Sequence, residues 1–209
     1  SWGSNYFLQL GDGTAADSNF PVPVSSLTDV TAIAGGFYHS IALANDSTVW
    51  TWGRDFYGEL GDGTNNNSNV PVPVNSLTGV TAIAGGFGHS LALRKDSTVW
   101  AWGYGLWGQL GNGSNANSNV PVQVSPLTHV IAIAGGGYHS LALKDDGTVW
   151  AWGNNYLGQL GNGGNAHSYV PLQVPGLSGV VAIAGGDQFS LALKNDGTLW
   201  AWGGNANGE

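Results

Sequence analysis

The chain contains no cysteine and no methionine among its 209 residues. Without cysteine it forms neither disulfide bonds nor thiolate metal sites, so the sequence carries no mark of an oxidising or reducing compartment. Because even position 1 is not methionine, we expect a processed or excised product whose targeting segment, if there was one, lies outside this sequence.

Charged residues are scarce, and basic ones are the scarcest. Five Lys+Arg stand against thirteen Asp+Glu, which gives a net charge of -8. Such a surface repels phosphate backbones and no basic cluster offsets it, so we expect no nucleic-acid partner. No apolar run approaches the ~20 residues that span a bilayer, and we expect no membrane partner either.

The sequence instead carries a tandem repeat of 50 residues. The segment Ile131–Gly153 recurs as Thr31–Gly53, Thr81–Gly103 and Val181–Gly203 without insertion or deletion. A period of this length is typical of propellers and solenoids. We divide a single propeller domain into a partial repeat and four further repeats, the last one truncated: 1–20, 21–70, 71–120, 121–170 and 171–209. Residues 201–209 begin another copy.

Each period contains four short stretches with strand character. In the third repeat these are Pro121–Val124, Val130–Ala134, His139–Leu143 and Thr148–Trp152. The prolines suit an edge strand, and Asp146-Gly147 suits a tight hairpin. No helical period is present. Four strands per repeat predict an all-β fold, a β-propeller of four-stranded antiparallel blades, over the alternative of a β-solenoid.

The repeat pattern V-x-A-I-A-G-G-x-x-H-S-L-A-L-K-x-D-G-T-V-W-A-W-G-x-N-x-x-G-Q-L-G resembles that of the regulator-of-chromosome-condensation family. The resemblance implies four-stranded blades, usually seven in a ring. The family's nucleotide-exchange members use a wedge that interrupts the repeats, and the constant spacing here leaves no room for one. The chain also resembles a bacterial branch that includes a secreted propeller inhibitor of β-lactamases, which favours a secreted bacterial protein.

Four blades leave two apolar blade faces open to water, which is unfavourable. A dimer that closes an eight-bladed ring, a longer parent propeller, or a ring closed at four blades would each cover them. We favour self-association or a longer parent.

No constellation of residues predicts catalysis, a metal or a cofactor. His39, His89 and His139 share one position in three repeats, but Phe189 replaces the fourth, and we expect each histidine to bond backbone within its own blade. The adjacent serine points to the opposite strand face and cannot pair with it. The Gly-Asp-Gly-Thr loops predict Asx turns rather than calcium sites. We expect a protein that is not an enzyme.

Aromatic side chains in two variable loops carry the functional prediction. Rigid scaffolds commonly bind through such loops. We expect a protein-binding face made of Tyr6, Phe7, Phe37, Tyr38, Phe56, Tyr57, Phe87, Trp107, Tyr138 and Tyr156. The acidic balance favours a basic patch on the partner. Two alternatives remain: a purely structural module that self-assembles and buries its variable aromatics between blades or chains, and a carbohydrate-binding propeller that uses Trp107 and the Asn-rich loops.

Overall fold

A computed structural model describes residues 1–206 and 208 of the chain. Its fifteen strands form four sheets, which we call blades 1 to 4 in chain order. Blade 1 contains β1 (Val30–Gly35), β2 (His39–Ala44), β3 (Val49–Gly53) and β4 (Ser68–Pro73). Blade 2 contains β5 (Val80–Gly85), β6 (His89–Arg94), β7 (Val99–Gly103) and β8 (Ser118–Gln123). Blade 3 contains β9 (Val130–Gly135), β10 (His139–Lys144), β11 (Val149–Gly153) and β12 (Ser168–Gln173). Blade 4 contains β13 (Val180–Gly185), β14 (Phe189–Lys194) and β15 (Leu199–Gly203).

Each blade is an antiparallel sheet in which strands follow chain order. The all-β prediction and the four predicted stretches of the third repeat are confirmed, and no helix occurs in the described residues. The prediction of four strands per blade fails for blade 4, which has three. The counterpart of its missing outer strand would lie 50 residues beyond 168–173, past the end of the sequence. Of the expected further copy 201–209, positions 207 and 209 lie outside the described residues.

The sheets divide each period at a different point from the repeat boundaries at 70, 120 and 170. The proline-containing strand β8 pairs with β7, through Trp100↔Gln123 and Gly103↔Ser118, and not with the strands that follow it. It is the outer edge of blade 2, a position that suits Pro121, because proline cannot donate a backbone hydrogen bond to a further strand. The repeat boundaries remain a sequence prediction.

The hairpins between the second and third strands of each blade repeat one design. In blade 3, Asp146 Oδ1 accepts hydrogen bonds from the backbone N of Thr148 (3.0 Å) and from its Oγ1 (2.6 Å). These bonds lower the pKa of the Asp146 carboxyl. Gly147 has a φ of 75°, but its counterparts Ser47 and Ser97 adopt 66° and 63°. Serine is predicted to make a poorer turn than glycine here, and both serines do adopt the left-handed conformation, which is unfavourable for residues other than glycine.

The core lies between successive blades rather than within one. In the cluster between blades 2 and 3, Leu91 and Val99 of blade 2 pack with Ala142 and Trp152 of blade 3. Leu127, from the connection between the two blades, completes it. Two similar clusters join blades 1 and 2 and blades 3 and 4. The predicted packing role of the tryptophans is confirmed for Trp102 and Trp152, which are fully buried.

The first strands of the blades run side by side around a common axis, and glycine permits their close approach. A Cβ atom on Gly85 would lie 2.6 Å from the Gly35 carbonyl oxygen, and one on Gly135 would lie 2.5 Å from that of Gly85. Both contacts are far shorter than van der Waals distance. The blades therefore meet backbone to backbone here, and the loops that follow these strands gather at one end of the axis.

The outer faces of blades 1 and 4 are open in this chain. Ile33 on β1 is 80% exposed, and Leu199 on β15 is 67% exposed. The counterparts of Leu199 inside the arc, Val99 and Val149, are buried, and the counterparts of Ile33, such as Ile83 and Ile133, are half-buried. Residues 1–29 precede blade 1, and the one β pairing of this described segment is an isolated bridge, Gly3↔Ser18.

Candidate functional site

The variable loops emerge together at one end of every blade. In blade 1, His39 pairs with Gly53, so loop 36–38 and loop 54–58 leave the sheet side by side. The same pairing recurs as His89↔Gly103, His139↔Gly153 and Phe189↔Gly203. We call the surface formed by these loops and by residues 4–8 the aromatic end, and the surface formed by the β2–β3 type turns the hairpin end.

Nine aromatic rings at this end form one chain of contacts, with centroids between 4.3 and 6.4 Å apart. Phe37 and Phe87 stack at 4.6 Å, and Phe87 continues to Tyr138 at 4.9 Å. The members are Tyr6, Phe7, Phe37, Tyr38, Phe56, Tyr57, Phe87, Tyr104 and Tyr138. The structure thus brings together eight of the ten predicted aromatic residues in one group.

The other two predicted residues form a neighbouring group. Trp107 packs edge-to-face on Tyr156 at 5.5 Å, and His167 packs against both rings, at 4.9 and 4.4 Å. Tyr104 and Tyr138 line the same cavity as Trp107 and Tyr156, so the two groups adjoin.

The predicted rings differ in exposure. Tyr6 is 81% exposed and Phe56 59%, and Phe37 and Tyr156 are similarly open. The remaining predicted rings are half-buried: Phe7, Tyr38, Tyr57, Phe87, Trp107 and Tyr138. A purely structural role predicts that these rings are buried between blades or between chains, and within this single chain four of them are exposed.

Arg54 is the one basic side chain placed among these rings. Its guanidinium carbon lies 4.9–5.7 Å from four ring centroids, distances suited to cation–π attraction. The side chain is only 12% exposed, and its Nε lies 3.8 Å from Glu59 Oε1, too far for a hydrogen bond.

Glu59 lies beneath Arg54 with no exposed side-chain surface. Burial raises the pKa of its carboxyl, which the backbone N–H of Tyr57 and the Arg54 charge partly oppose. The Tyr57 N–H donates to Glu59 Oε2 at 2.7 Å. The counterparts Gln9, Gln109 and Gln159 are neutral, so the acidic residue and the arginine occur in the same repeat.

A layer of histidine and serine lies directly under the aromatic end. His89 Nε2 lies 3.0 Å from Ser140 Oγ in the next blade, and His39 and His139 contact Ser90 and Ser190 in the same way. The prediction that each histidine bonds backbone within its own blade is therefore wrong. A histidine at the start of a blade's second strand lies beside the serine of the following blade. The sequence alone does not reveal that these two residues are in contact.

The direction of these bonds follows from the second bond of each serine. Ser140 Oγ donates to the Gln109 carbonyl at 2.9 Å, so it accepts from His89 Nε2–H. Trp152 Nε1 donates to the same carbonyl, also at 2.9 Å. Burial lowers the pKa of His89 to about 3, and it lowers the pKa values of His39 and His139 to about 4. These histidines are neutral links between blades.

Asp55 occupies a buried position that is asparagine in three of the other four copies, at Asn5, Asn155 and Asn205. Its Oδ1 accepts the Leu60 N–H at 2.8 Å, but its buried Oδ2 has no hydrogen-bond partner. At the same place Asn5 Nδ2 donates to the Thr14 carbonyl and Asn155 Nδ2 to the Gly164 carbonyl. Burial raises the pKa of Asp55 to about 7, and the nearby Asp62 and Glu59 charges add to the rise. The protonated acid also carries a donor, as the asparagine amide does.

The Gly-Asp-Gly-Thr loops form Asx turns as predicted. Thr14 N donates to Asp12 Oδ1 at 2.9 Å, and Thr64 N donates to Asp62 Oδ1 at 2.8 Å. Within residues 1–206 and 208, no group of three or more His, Cys, Asp or Glu side chains is placed to hold a metal ion. In the same part of the chain, no helix has the length and apolar character needed to cross a membrane.

Sequence reasoning missed Arg54, Tyr104 and His167 as members of the aromatic end. Position 54 differs in every repeat and directly precedes the aromatic loop, and this variability was the available signal. The residues are Ser4, Arg54, Tyr104, Asn154 and Gly204. Nothing in the local sequence places His167 beside Trp107, because twelve residues of loop separate it from Asn155, whose N–H its Nδ1 accepts.

Two family models match the chain, one over most of its length and the other over more than half of it. Both are described as regulator of chromosome condensation (RCC1) repeat. The first matches residues 1–43, 46–93, 96–143 and 146–193, and the second matches 30–59, 80–109, 130–159 and 180–209. A comparison with curated protein sequences finds no significant match.

Several solved structures are similar. Human WBSCR16 aligns with a TM-score of 0.84 and 25% identity over 97% of this chain and 55% of its own. Prp20p from Saccharomyces cerevisiae, described with its binding to Gsp1p and histones, aligns with a TM-score of 0.85 and 27% identity over 98% and 52%. Yeast RCC1 (Prp20) bound to Kap60 aligns with a TM-score of 0.80 and 24% identity over 93% and 48%. The chain thus spans about half the length of the structures it matches.

Proposed function

Because this chain belongs to the regulator of chromosome condensation (RCC1) repeat family, we propose that it is a non-enzymatic β-propeller scaffold that binds a protein partner through its aromatic end. The observation that carries the proposal is the continuous chain of nine rings on loops held by adjacent blades. Aromatic side chains supply large contact area at small entropic cost, which is why they dominate binding hot spots.

The rigidity of the support favours binding over simple packing. The loops that carry Phe37 and Phe87 are linked across blades, since Phe37 N donates to the Gly86 carbonyl and Phe87 N to the Gly137 carbonyl. The histidine–serine layer fixes the strands beneath. Exposed rings on such a support are preorganised, so a partner loses little entropy in ordering them.

The similar structures support a protein as the partner class. Prp20p is described with its binding to Gsp1p and histones, and yeast RCC1 with Kap60 bound. Those partners belong to those proteins, and we carry over only that the partner is a protein.

The open faces of blades 1 and 4 support a larger assembly. We propose that a second copy, closing an eight-bladed ring, or further blades of a longer parent chain cover them. The counterparts of Leu199 are buried between blades and those of Ile33 are half-buried there, and burying such side chains contributes up to roughly 2 kcal/mol each. Light scattering over a range of concentrations tests the dimer, which has twice the mass of the 21.5 kDa chain.

Affinity capture followed by a matched set of variants tests the binding face. A protein retained by the immobilised chain is identified by mass spectrometry, and its affinity is then measured for wild type, Phe56→Ala, Tyr156→Ala and Lys95→Ala. The two aromatic variants are expected to weaken binding at least tenfold, about 1.4 kcal/mol. Lys95, an exposed residue of the hairpin end, is the control and leaves the affinity unchanged. Unchanged affinity in both aromatic variants would contradict the proposal.

A further inference from the structure

The aromatic end contains one cage that is filled by the chain's own cation. Arg54 is the occupant, and its guanidinium carbon lies 5.7, 5.5, 5.0 and 4.9 Å from the ring centroids of its four neighbours. Those neighbours are Phe7, Tyr38, Phe56 and Tyr57. The side chain is 12% exposed, so this end of the blades can enclose a guanidinium among rings.

The same cage recurs 100 residues further along the chain without its occupant. The counterparts of the four rings are Trp107, Tyr138, Tyr156 and Leu157, and the counterpart of Arg54 is Asn154. All five residues line a cavity of about 380 Å³. Three of the four walls are still aromatic, and the cavity lies where the long arginine side chain is replaced by a short amide.

Asn154 is held at the floor of this cavity. Its Oδ1 accepts hydrogen bonds from the Tyr156 backbone N–H at 3.1 Å and from Gln159 Nε2 at 3.0 Å. Asn154 itself is 7% exposed. Because both bonds tie the amide to its own loop, it does not extend between the rings, and the space that Arg54 fills in blade 1 stays open in blade 3.

A carboxylate borders the open cage. Asp187 of blade 4 lines the cavity at the position that Phe87 occupies beside the Arg54 cage. Its side chain lies over Gly137, where a Cβ atom would come within 2.2 Å of Asp187 Oδ1. Burial and the neighbouring Tyr104 raise the pKa of Tyr138, a wall of the cage, and the Asp187 charge adds to the rise.

We propose that this cavity, which is lined by loops of blades 2, 3 and 4, binds the guanidinium group of an arginine side chain presented by a protein partner. The proposal rests on the proposed function, since it assigns one chemical anchor to the aromatic end. Trp107, Tyr138 and Tyr156 supply ring faces to the cation. Asp187 supplies the negative charge, as Glu59 does in the cage of Arg54. A planar guanidinium stacks on rings and pairs with a carboxylate at once, which favours arginine over lysine.

A peptide titration tests the site without knowledge of the partner. The probe is acetyl-Gly-Arg-Gly-amide, added to the 209-residue chain while the indole N–H resonance of Trp107, assigned with Trp107→Phe, is followed by NMR. The reference is the same peptide with citrulline, which keeps the shape of arginine and lacks its charge. We expect the arginine peptide to shift the Trp107 resonance and to bind at least tenfold more tightly than the citrulline peptide.

Two variants locate the effect. Asn154→Arg supplies the built-in occupant that blade 1 already has, and it is expected to abolish peptide binding. Asp187→Asn keeps the shape and removes the charge, and it is expected to weaken binding about tenfold. Lys95→Ala, at the hairpin end, is the control and leaves peptide binding unchanged.

Three results would overturn the site. They are equal binding of the arginine and citrulline peptides, tighter binding of a lysine peptide, and undiminished binding to Asn154→Arg. Any of these leaves the wider proposal standing if Phe56→Ala still weakens a captured partner. The wider proposal would instead be contradicted by a captured partner whose affinity is unchanged in every aromatic variant.

Discussion

The two ends of the blades are built on opposite principles. At the hairpin end the same contact recurs in every repeat, with Asp46, Asp96, Asp146 and Asp196 each accepting from the threonine two residues later. At the aromatic end the backbone recurs and the side chains differ. One position alone reads Arg54, Tyr104 and Asn154 in successive repeats. The repeats remain alike where a side chain shapes the turn, and they diverge where it faces outward.

Charge is divided between the same two ends. Four of the five basic residues lie at the hairpin end, where Arg94 and Lys194 pair with Asp96 and Asp196 at 3.2 and 3.8 Å. These exposed pairs contribute little to stability. The aromatic end holds Arg54 together with the carboxyls of Glu59 and Asp187, so the surface that we propose binds a partner has fewer basic residues than the hairpin end.

The largest expected effect comes from removing the cation of the aromatic end. Arg54→Asn leaves the buried Glu59 carboxyl without its neighbour, and we expect a loss of about 3 kcal/mol in the free energy of unfolding. The double variant Arg54→Asn with Glu59→Gln copies the hydrogen-bonded pair Asn154–Gln159 and should recover most of the loss. Urea unfolding of the three chains measures both, and an additive double variant would refute the coupling.

Asp55→Asn should stabilise the chain above neutral pH. The folded pKa of about 7 lies above the ordinary 3.8, so the folded state holds the proton more tightly and stability falls as pH rises from about 4 to 7. Asparagine supplies the donor at every pH. We expect a gain of roughly 2 kcal/mol at pH 8 and little at pH 4. Thermal unfolding at both pH values measures it, and an equal effect at both would refute the titration.

His89→Phe should reduce the sensitivity of the fold to acid. The folded pKa of about 3 lies below the ordinary 6.5, so stability is lost as pH falls below about 6.5 while the unfolded chain takes up the proton. Phe189 shows that phenylalanine fits this position over its glycine. Losing the bond to Ser140 costs about 1 kcal/mol at pH 7. With one of three such histidines gone, the slope of stability against pH below 6 should fall by about a third.

The smallest effect belongs to the hairpin end. Ser97 has a φ of 63°, and the same turn position is glycine at Gly147. Ser97→Gly removes the strain of a side chain in this left-handed conformation and should stabilise the chain by about 1 kcal/mol. Partner and peptide binding should not change, because the turn lies at the opposite end from the rings. A loss of binding in this variant would show that the two ends are not independent.

The sequence allowed prediction of the parts that repeat. Period-two alternation and the Asp-Gly turn located the four strands of the third repeat to within three residues at each end, because these signals are local. Aromatic residues at equivalent positions of adjacent repeats also predicted rings that share one surface. Which sheet a strand joins was not predictable in this way, since β8 pairs backward with β7 rather than with the next strand in its period.

The polar and charged details of the site escaped sequence reasoning for a different reason. His89 and Ser140 are 51 residues apart, and Trp152 and the Gln109 carbonyl are 43 apart. Such pairs arise from the placement of one blade on the next. The same holds for Asn154, whose significance appears only when its surroundings are superposed on those of Arg54.

One backbone carbonyl of each repeat accepts hydrogen bonds from both a serine and a tryptophan of the following blade. This arrangement has a consequence for how such chains change length. Glu59, Gln109 and Gln159 each receive both bonds, always from residues 31 and 43 positions later. A gene duplication or deletion of whole 50-residue units leaves every such spacing intact, and the new junction has the same partners as the old ones. Recombination in whole units can therefore alter the number of blades without any compensating mutation at the joins.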